Sequence, residues 1–216
     1  EHIERRGNET TKVFALEMHS TSITTKTILY LVYFCGTKGK PYLSELFVNV
    51  AKELTKLNLP ITSFSFNVEM RSQIGYRVEQ FGYAKSAYKF SHPIYEEALS
   101  NLVLSDSNCE TIAKIIIQEL SKKDVKAAYA IINRYVVKYP DVSLLLFKHM
   151  LELGDLVPDN SLRITLSQKL ISTYYNTKNE DFFNLALHFY SLERLVNDIN
   201  NIFIGWSDLS QKLNLC

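Results

Sequence analysis

Turn-forming residues are scarce in this chain. It has seven glycines and five prolines in 216 residues, too few for the many tight turns of an all-β sandwich, so helices are expected. Cysteine is also sparse: Cys35, Cys109 and Cys216 are odd in number and far apart. No CxxC or Cys/His spacing is present, which argues against a structural zinc site and a disulfide framework. A reducing, cytoplasmic setting is the expectation. Long apolar runs are missing as well. The longest, Ile28 to Cys35, falls far short of the ~20 residues a membrane-spanning helix needs. Neither charge sign dominates: 24 Lys and Arg stand against 23 Asp and Glu, a formal net charge of +1. No strong field toward nucleic acid or membrane follows from that balance.

The standard chemical signatures are missing too. The GxxxxGK[ST], HExxH, GxSxG and DxDxDG patterns do not occur, and Gly36-Thr-Lys-Gly39 reads as a turn after a helix rather than a phosphate loop. The five histidines, at 2, 19, 92, 149 and 188, lie without a carboxylate or cysteine at a useful short spacing. No catalytic or metal-ligating set emerges, and no cofactor is expected in this chain. The reading is non-enzymatic.

What the chain does have is apolar and aromatic residues, 46% and 12% of the sequence, enough for a sizeable core. Residues 1–25 are polar and rich in Ser and Thr, and read as a linker containing at most a short element, with Thr24 or Thr25 as a cap. A helix is expected from Lys26 to the glycine stop at Gly36. A second runs from Tyr42 to Leu57, with Leu43, Leu46, Phe47, Val50, Ala51 and Leu54 on one face. The stretch Ile61 to Phe66 is ambiguous. Asn67 to Phe81 reads as a third helix ended by Gly82, and Tyr83 to Phe90 as an extended run. Ser91 then caps a helix with Pro93 just inside it, and Glu96 and Glu97 complement its dipole.

Three helices, a strand and a helix within about 75 residues follow the order of a winged-helix unit, with a small β wing whose second strand is weakly marked. After Leu104 the chain reads as helices with short breaks: Thr111–Leu120, Val125–Val137, Val142–Leu153, Leu162–Tyr175 and Phe182–Phe203. Short breaks favour antiparallel packing, as a bundle or a repeat-like array. The expected organisation is therefore mainly α: a linker over 1–25, a winged-helix domain over 26–104 and an α-helical domain over 105–216. Trp206 is a candidate aromatic cap for the last helix.

Winged helices often bind nucleic acid through the third helix and the wing. Here Arg71, Gln73 and Arg77 would face the groove, with Lys85 and Lys89 on the wing. Phosphate neutralisation needs several unopposed cations. Between Lys26 and Ala98 nine Lys and Arg face six Glu, and Glu69 and Glu79 offset the two arginines.

The stretch Tyr88-Lys-Phe-Ser-His-Pro-Ile-Tyr-Glu-Glu-Ala-Leu99 resembles the end of the winged helix in STAND-class P-loop ATPases. The matching positions are Tyr88, Phe90, His92, Pro93, Glu97, Ala98 and Leu99, and the likeness extends over about residues 26–104. The resemblance implies an upstream nucleotide-binding module that binds ATP or ADP, and a winged helix acting as an intramolecular lid. It also implies a histidine at the hinge, His92, that touches the nucleotide phosphate. Relatives carry an acidic residue where Pro93 stands. A chain that begins at Glu1 fits a segment of a longer protein. Its expected partner is that module or another protein. The competing expectation is a stand-alone DNA-binding regulator with a helical dimerisation domain.

Overall fold

Ser22 starts the first long helix. Its hydroxyl accepts the backbone N–H of Thr25 at 3.1 Å, so the cap is Ser22 rather than the expected Thr24 or Thr25. Helix α1, Ile23–Cys35, buries eleven of its thirteen residues. A helix apolar on one stripe lies on a surface; one buried all round must run through the core. Thr24 is part of that burial, and its hydroxyl accepts Thr62 N–H at 2.9 Å. The computed structural model describes residues 13, 14, 16–59, 61–63, 65–154 and 160–189.

The C-terminal end of α1 is buried too, so its last carbonyls need partners other than water. Helix α6, Val125–Tyr135, supplies them. Arg134 Nη2 donates to Phe34 O at 2.8 Å, and the Tyr135 hydroxyl donates to Tyr33 O. Gly36 follows, as expected, but not for conformational freedom: its φ is −52°. A Cβ there would lie 2.3 Å from the Tyr88 carbonyl oxygen. The glycine is demanded by the close approach of a strand. Gly39, at φ +89°, does use the left-handed region and leads into α2, Lys40–Lys56. The six expected apolar residues of α2 are all buried.

Helix α3 spans Phe66–Gln73, only the first half of the expected third helix. Gly75 turns at φ +83°, and Val78–Phe81 becomes strand β1. The three-residue spacing of Val78 and Phe81 fits a helical stripe, whereas in the strand they face opposite ways, Val78 buried and Phe81 exposed. Pairing decides: β1 runs antiparallel to β2, Ala87–Phe90, in the register Val78↔Phe90 to Phe81↔Ala87. The hairpin thus has the second strand that the sequence marked poorly. Tyr83–Lys85, expected as extended, forms a 3-10 turn. The hairpin packs inward through Val78 and Tyr88, both buried, and the Tyr88 ring lies 6.1 Å from that of Phe66.

Four helices complete this unit: α4, Pro93–Ser105; α5, Ser107–Lys123; α6, Val125–Tyr135; and α7, Pro140–Glu152. Helix α5 buries three consecutive isoleucines, Ile115 to Ile117, because it is packed on several sides. It contacts α1, α2, α4, α6 and α7. The expected domain boundary after Leu104 therefore falls inside a packed unit. The two compact units part between residues 156 and 157. The short element expected within 1–25 is helical over residues 16–20, and its Met18 is fully buried.

In the second unit, α8, Asn160–Thr177, pairs with α9, Glu180–Phe189. Leu166 and Leu170 are buried on α8, and Phe182, Leu185 and Phe189 on α9. Ser167 donates its hydroxyl to Ala186 O at 2.7 Å. The rest of the expected helix to Phe203, Trp206 and Cys216 lie outside the described residues. The described architecture is mainly α with one two-stranded antiparallel hairpin. Among the described residues no helix is long and apolar enough to cross a membrane.

Gly36→Ala is expected to destabilise the protein by about 1–3 kcal/mol, the range for inserting a methyl into a filled site. Urea unfolding followed by circular dichroism measures it. An unchanged midpoint contradicts the close-approach account.

Candidate functional site

The strand-to-helix hinge, residues 90–94, is built by capping chemistry. Pro93 occupies the first helical turn, where its missing N–H leaves no gap. The cap is His92 rather than the expected Ser91: its Nδ1 accepts Ile94 N–H at 3.2 Å. Ser91 instead reaches back to the segment before the hairpin. Its hydroxyl donates to Tyr76 O at 2.8 Å, and its N–H donates to Arg77 O at 2.9 Å. Glu96 lies in the first turn, where the dipole favours it, and also pairs with Lys138. His92 is exposed.

Behind the hinge is a polar cluster that the sequence did not announce. Arg77 is 7% exposed. Its Nη1 donates to Gln73 Oε1 at 2.6 Å, and its Nη2 donates to Glu17 Oε1. The Tyr76 hydroxyl donates to the same Glu17 oxygen at 2.7 Å, a bond that raises the pKa of the phenol. The guanidinium also lies 4.5 Å from the centre of the Tyr76 ring. Of the five nucleic-acid candidates, Gln73 and Arg77 are thus brought together and buried. Lys89 pairs with Glu79 directly across the hairpin at 3.3 Å. Arg71 and Lys85 stay exposed, on α3 and on the hairpin turn. The five do not form one cationic surface.

A second cluster joins the start of α1 to the start of α5. Lys26 Nζ donates to Asp106 Oδ2 at 3.1 Å, with both side chains buried. His19 Nδ1 lies 3.0 Å from that same oxygen. Asp106 Oδ1 caps α5, accepting the N–H groups of Asn108 and Cys109. Burial pushes the Asp106 carboxyl up, but the Lys26 bond and the Cys109 N–H together bring it below the ordinary value. By sequence, Lys26 starts a helix and Asp106 falls in the break between Leu104 and Thr111. The usable signals were a lone lysine entering an apolar run and an aspartate at a cap position.

Burial raises the thiol of Cys35 to about 12 and that of Cys109 to about 11, so neither is a thiolate nucleophile near neutral pH. Among the described residues no group of three or more His, Cys, Asp or Glu is placed to hold a metal ion. No protein-family model, curated protein or solved structure matches the chain.

Asp106→Asn keeps the cap acceptor but strands the Lys26 ammonium, and is expected to cost about 3–5 kcal/mol. Because the Asp106 carboxyl titrates below its unfolded value, its contribution is complete above about pH 4 and is lost as the pH falls further. Chemical denaturation across that range should show Asp106→Asn with the shallower acid dependence; parallel profiles refute the assignment. His92→Ala should lower stability by about 1 kcal/mol, the value of a helix cap. His92→Asn should restore it in the same assay.

Proposed function

We propose that this chain is a non-catalytic regulatory and protein-interaction segment, with a winged-helix-like unit joined to further antiparallel helices. The element order α1, α2, α3, β1, β2, α4 supports the winged-helix part. One observation carries the non-DNA reading. Gln73 and Arg77, two of the three polar residues on which groove contact would depend, are turned into an internal cluster closed by Glu17. With Lys89 offset by Glu79, too few unopposed cations remain for a duplex.

The more specific reading follows the resemblance at Tyr88 to Leu99: the unit acts as a lid for a STAND-like nucleotide-binding module. The hinge is compatible with that role, since His92 engages the helix through Nδ1 and leaves Nε2 for a partner atom. ATP or ADP would then be bound by the module, not by this chain. The second reading, a stand-alone DNA-binding regulator, draws on the exposure of Arg71 and Lys85 and of Tyr83, which is 97% exposed on the hairpin turn.

Fluorescence anisotropy of a labelled duplex at about 50 mM salt, where phosphate contacts are strongest, separates the two. The regulatory reading expects no binding. Binding that weakens with salt and is lost in Arg71→Gln/Lys85→Gln establishes the DNA reading instead. In a parent protein carrying the nucleotide module, His92→Ala is expected to change ADP retention, and unchanged retention rejects the lid contact.

A further inference from the structure

The Glu17–Arg77 pair is incompletely matched. A guanidinium offers a planar fork of donors that suits two acceptor oxygens side by side. Glu17 meets it with one oxygen, Oε1, and shares that oxygen with the Tyr76 hydroxyl. Arg77 Nε is buried and has no hydrogen-bond partner. A buried donor left unmade is uncommon in a folded protein and points to an acceptor that is not there. A phosphoryl group has the oxygens that one carboxylate oxygen lacks. Two would take Nε–H and Nη2–H, and a third would take the Tyr76 hydroxyl.

The carboxylate that occupies this place is carried on a short strap. Glu17 belongs to the helical residues 16–20; in this N-terminal segment Val13 and Leu16 are 62% and 69% exposed, while the Phe14 ring packs on that of Tyr95 at 4.9 Å. That strap is anchored by the buried Met18, by Glu17 itself and by the pairing of exposed His19 with Asp106. By contrast, the arginine is fixed from behind. Gln73 Oε1 holds Nη1, and Ser91 holds the backbone of both Tyr76 and Arg77. We propose that Arg77 and Tyr76 form a latent phosphate-binding site, positioned by Gln73 and plugged by Glu17 of the N-terminal strap. Displacement of the strap opens the site. Through Ser91, its occupancy bears directly on the hinge that carries His92. The proposal stands apart from the regulatory reading, since it concerns only the affinity of Arg77 for phosphate.

The test uses the full chain with Glu17→Ala and Glu17→Gln, each also combined with Arg77→Met. Inorganic pyrophosphate is titrated by calorimetry, and a labelled duplex by anisotropy, both at about 50 mM salt. Circular dichroism confirms folding. The expected result is binding by the Glu17 variants that is roughly tenfold or more tighter than wild type and is abolished by Arg77→Met. Pyrophosphate binding alone assigns the site to a small phosphorylated ligand. Duplex binding alone assigns it to a nucleic-acid backbone. Folded variants that bind neither probe overturn the proposal, as does binding that survives Arg77→Met or equals wild type. If neither Glu17 variant folds, Glu17 is a structural counter-ion and the proposal also fails.

Discussion

Helix α1 is buried on every side, and the rest of the first unit is arranged around that constraint. A helix end exposed to water can leave its last carbonyls to solvent; a buried one cannot. Arg134 and Tyr135 must therefore come from α6 to reach Phe34 O and Tyr33 O, about a hundred residues away in sequence. That requirement fixes α6 against the end of α1. The same region stacks the Tyr33 and Tyr135 rings, with centroids 4.6 Å apart. Tyr30 and Tyr33 bind α4 in turn, through Leu99 O at 2.9 Å and the Ser100 hydroxyl at 2.8 Å. Each buried phenol satisfies its hydroxyl while adding apolar area.

The start of α1 is held by charge. Lys26 and Asp106 form a buried pair that also caps α5. Such a pair adds little net stability compared with apolar residues of the same size, but breaking it leaves a buried charge and is costly. Its structural effect is to set the direction in which α4 gives way to α5. His19 and Glu17 attach the preceding strap to this pair and to Arg77. The polar interior of the unit is thus reached from its N-terminal edge, next to the hinge at His92.

Helices with one strong apolar face were legible in the sequence. In α2 the spacing named every core residue, because a half-buried helix repeats at three and four residues. The hinge was legible as a junction because Pro93 can sit only at a helix start. The hairpin was half legible. Val78 and Phe81, three residues apart, fit the helical period; in the strand they face opposite ways, Val78 buried and Phe81 exposed, and only the pairing with Ala87 to Phe90 separates strand from helix. The site was the least legible part. Arg77 and Gln73 look like solvent-facing residues by type, and nothing local reveals that Glu17, sixty positions earlier than Arg77, closes over them.

By itself the sequence determined the helical class, the apolar face of α2, the strand-to-helix hinge and the absence of the common catalytic signatures. Each rests on interactions among residues within about one or two turns of each other, where spacing and backbone preference suffice. The tertiary structure alone decided that Lys26 and Arg77 are interior residues, that Gly36 is required by a neighbouring strand, and that the helices after Leu104 belong with those before it. Those outcomes depend on buried polar groups finding partners far away in the chain. A polar residue's type says that it needs a partner; only the fold says which one it gets.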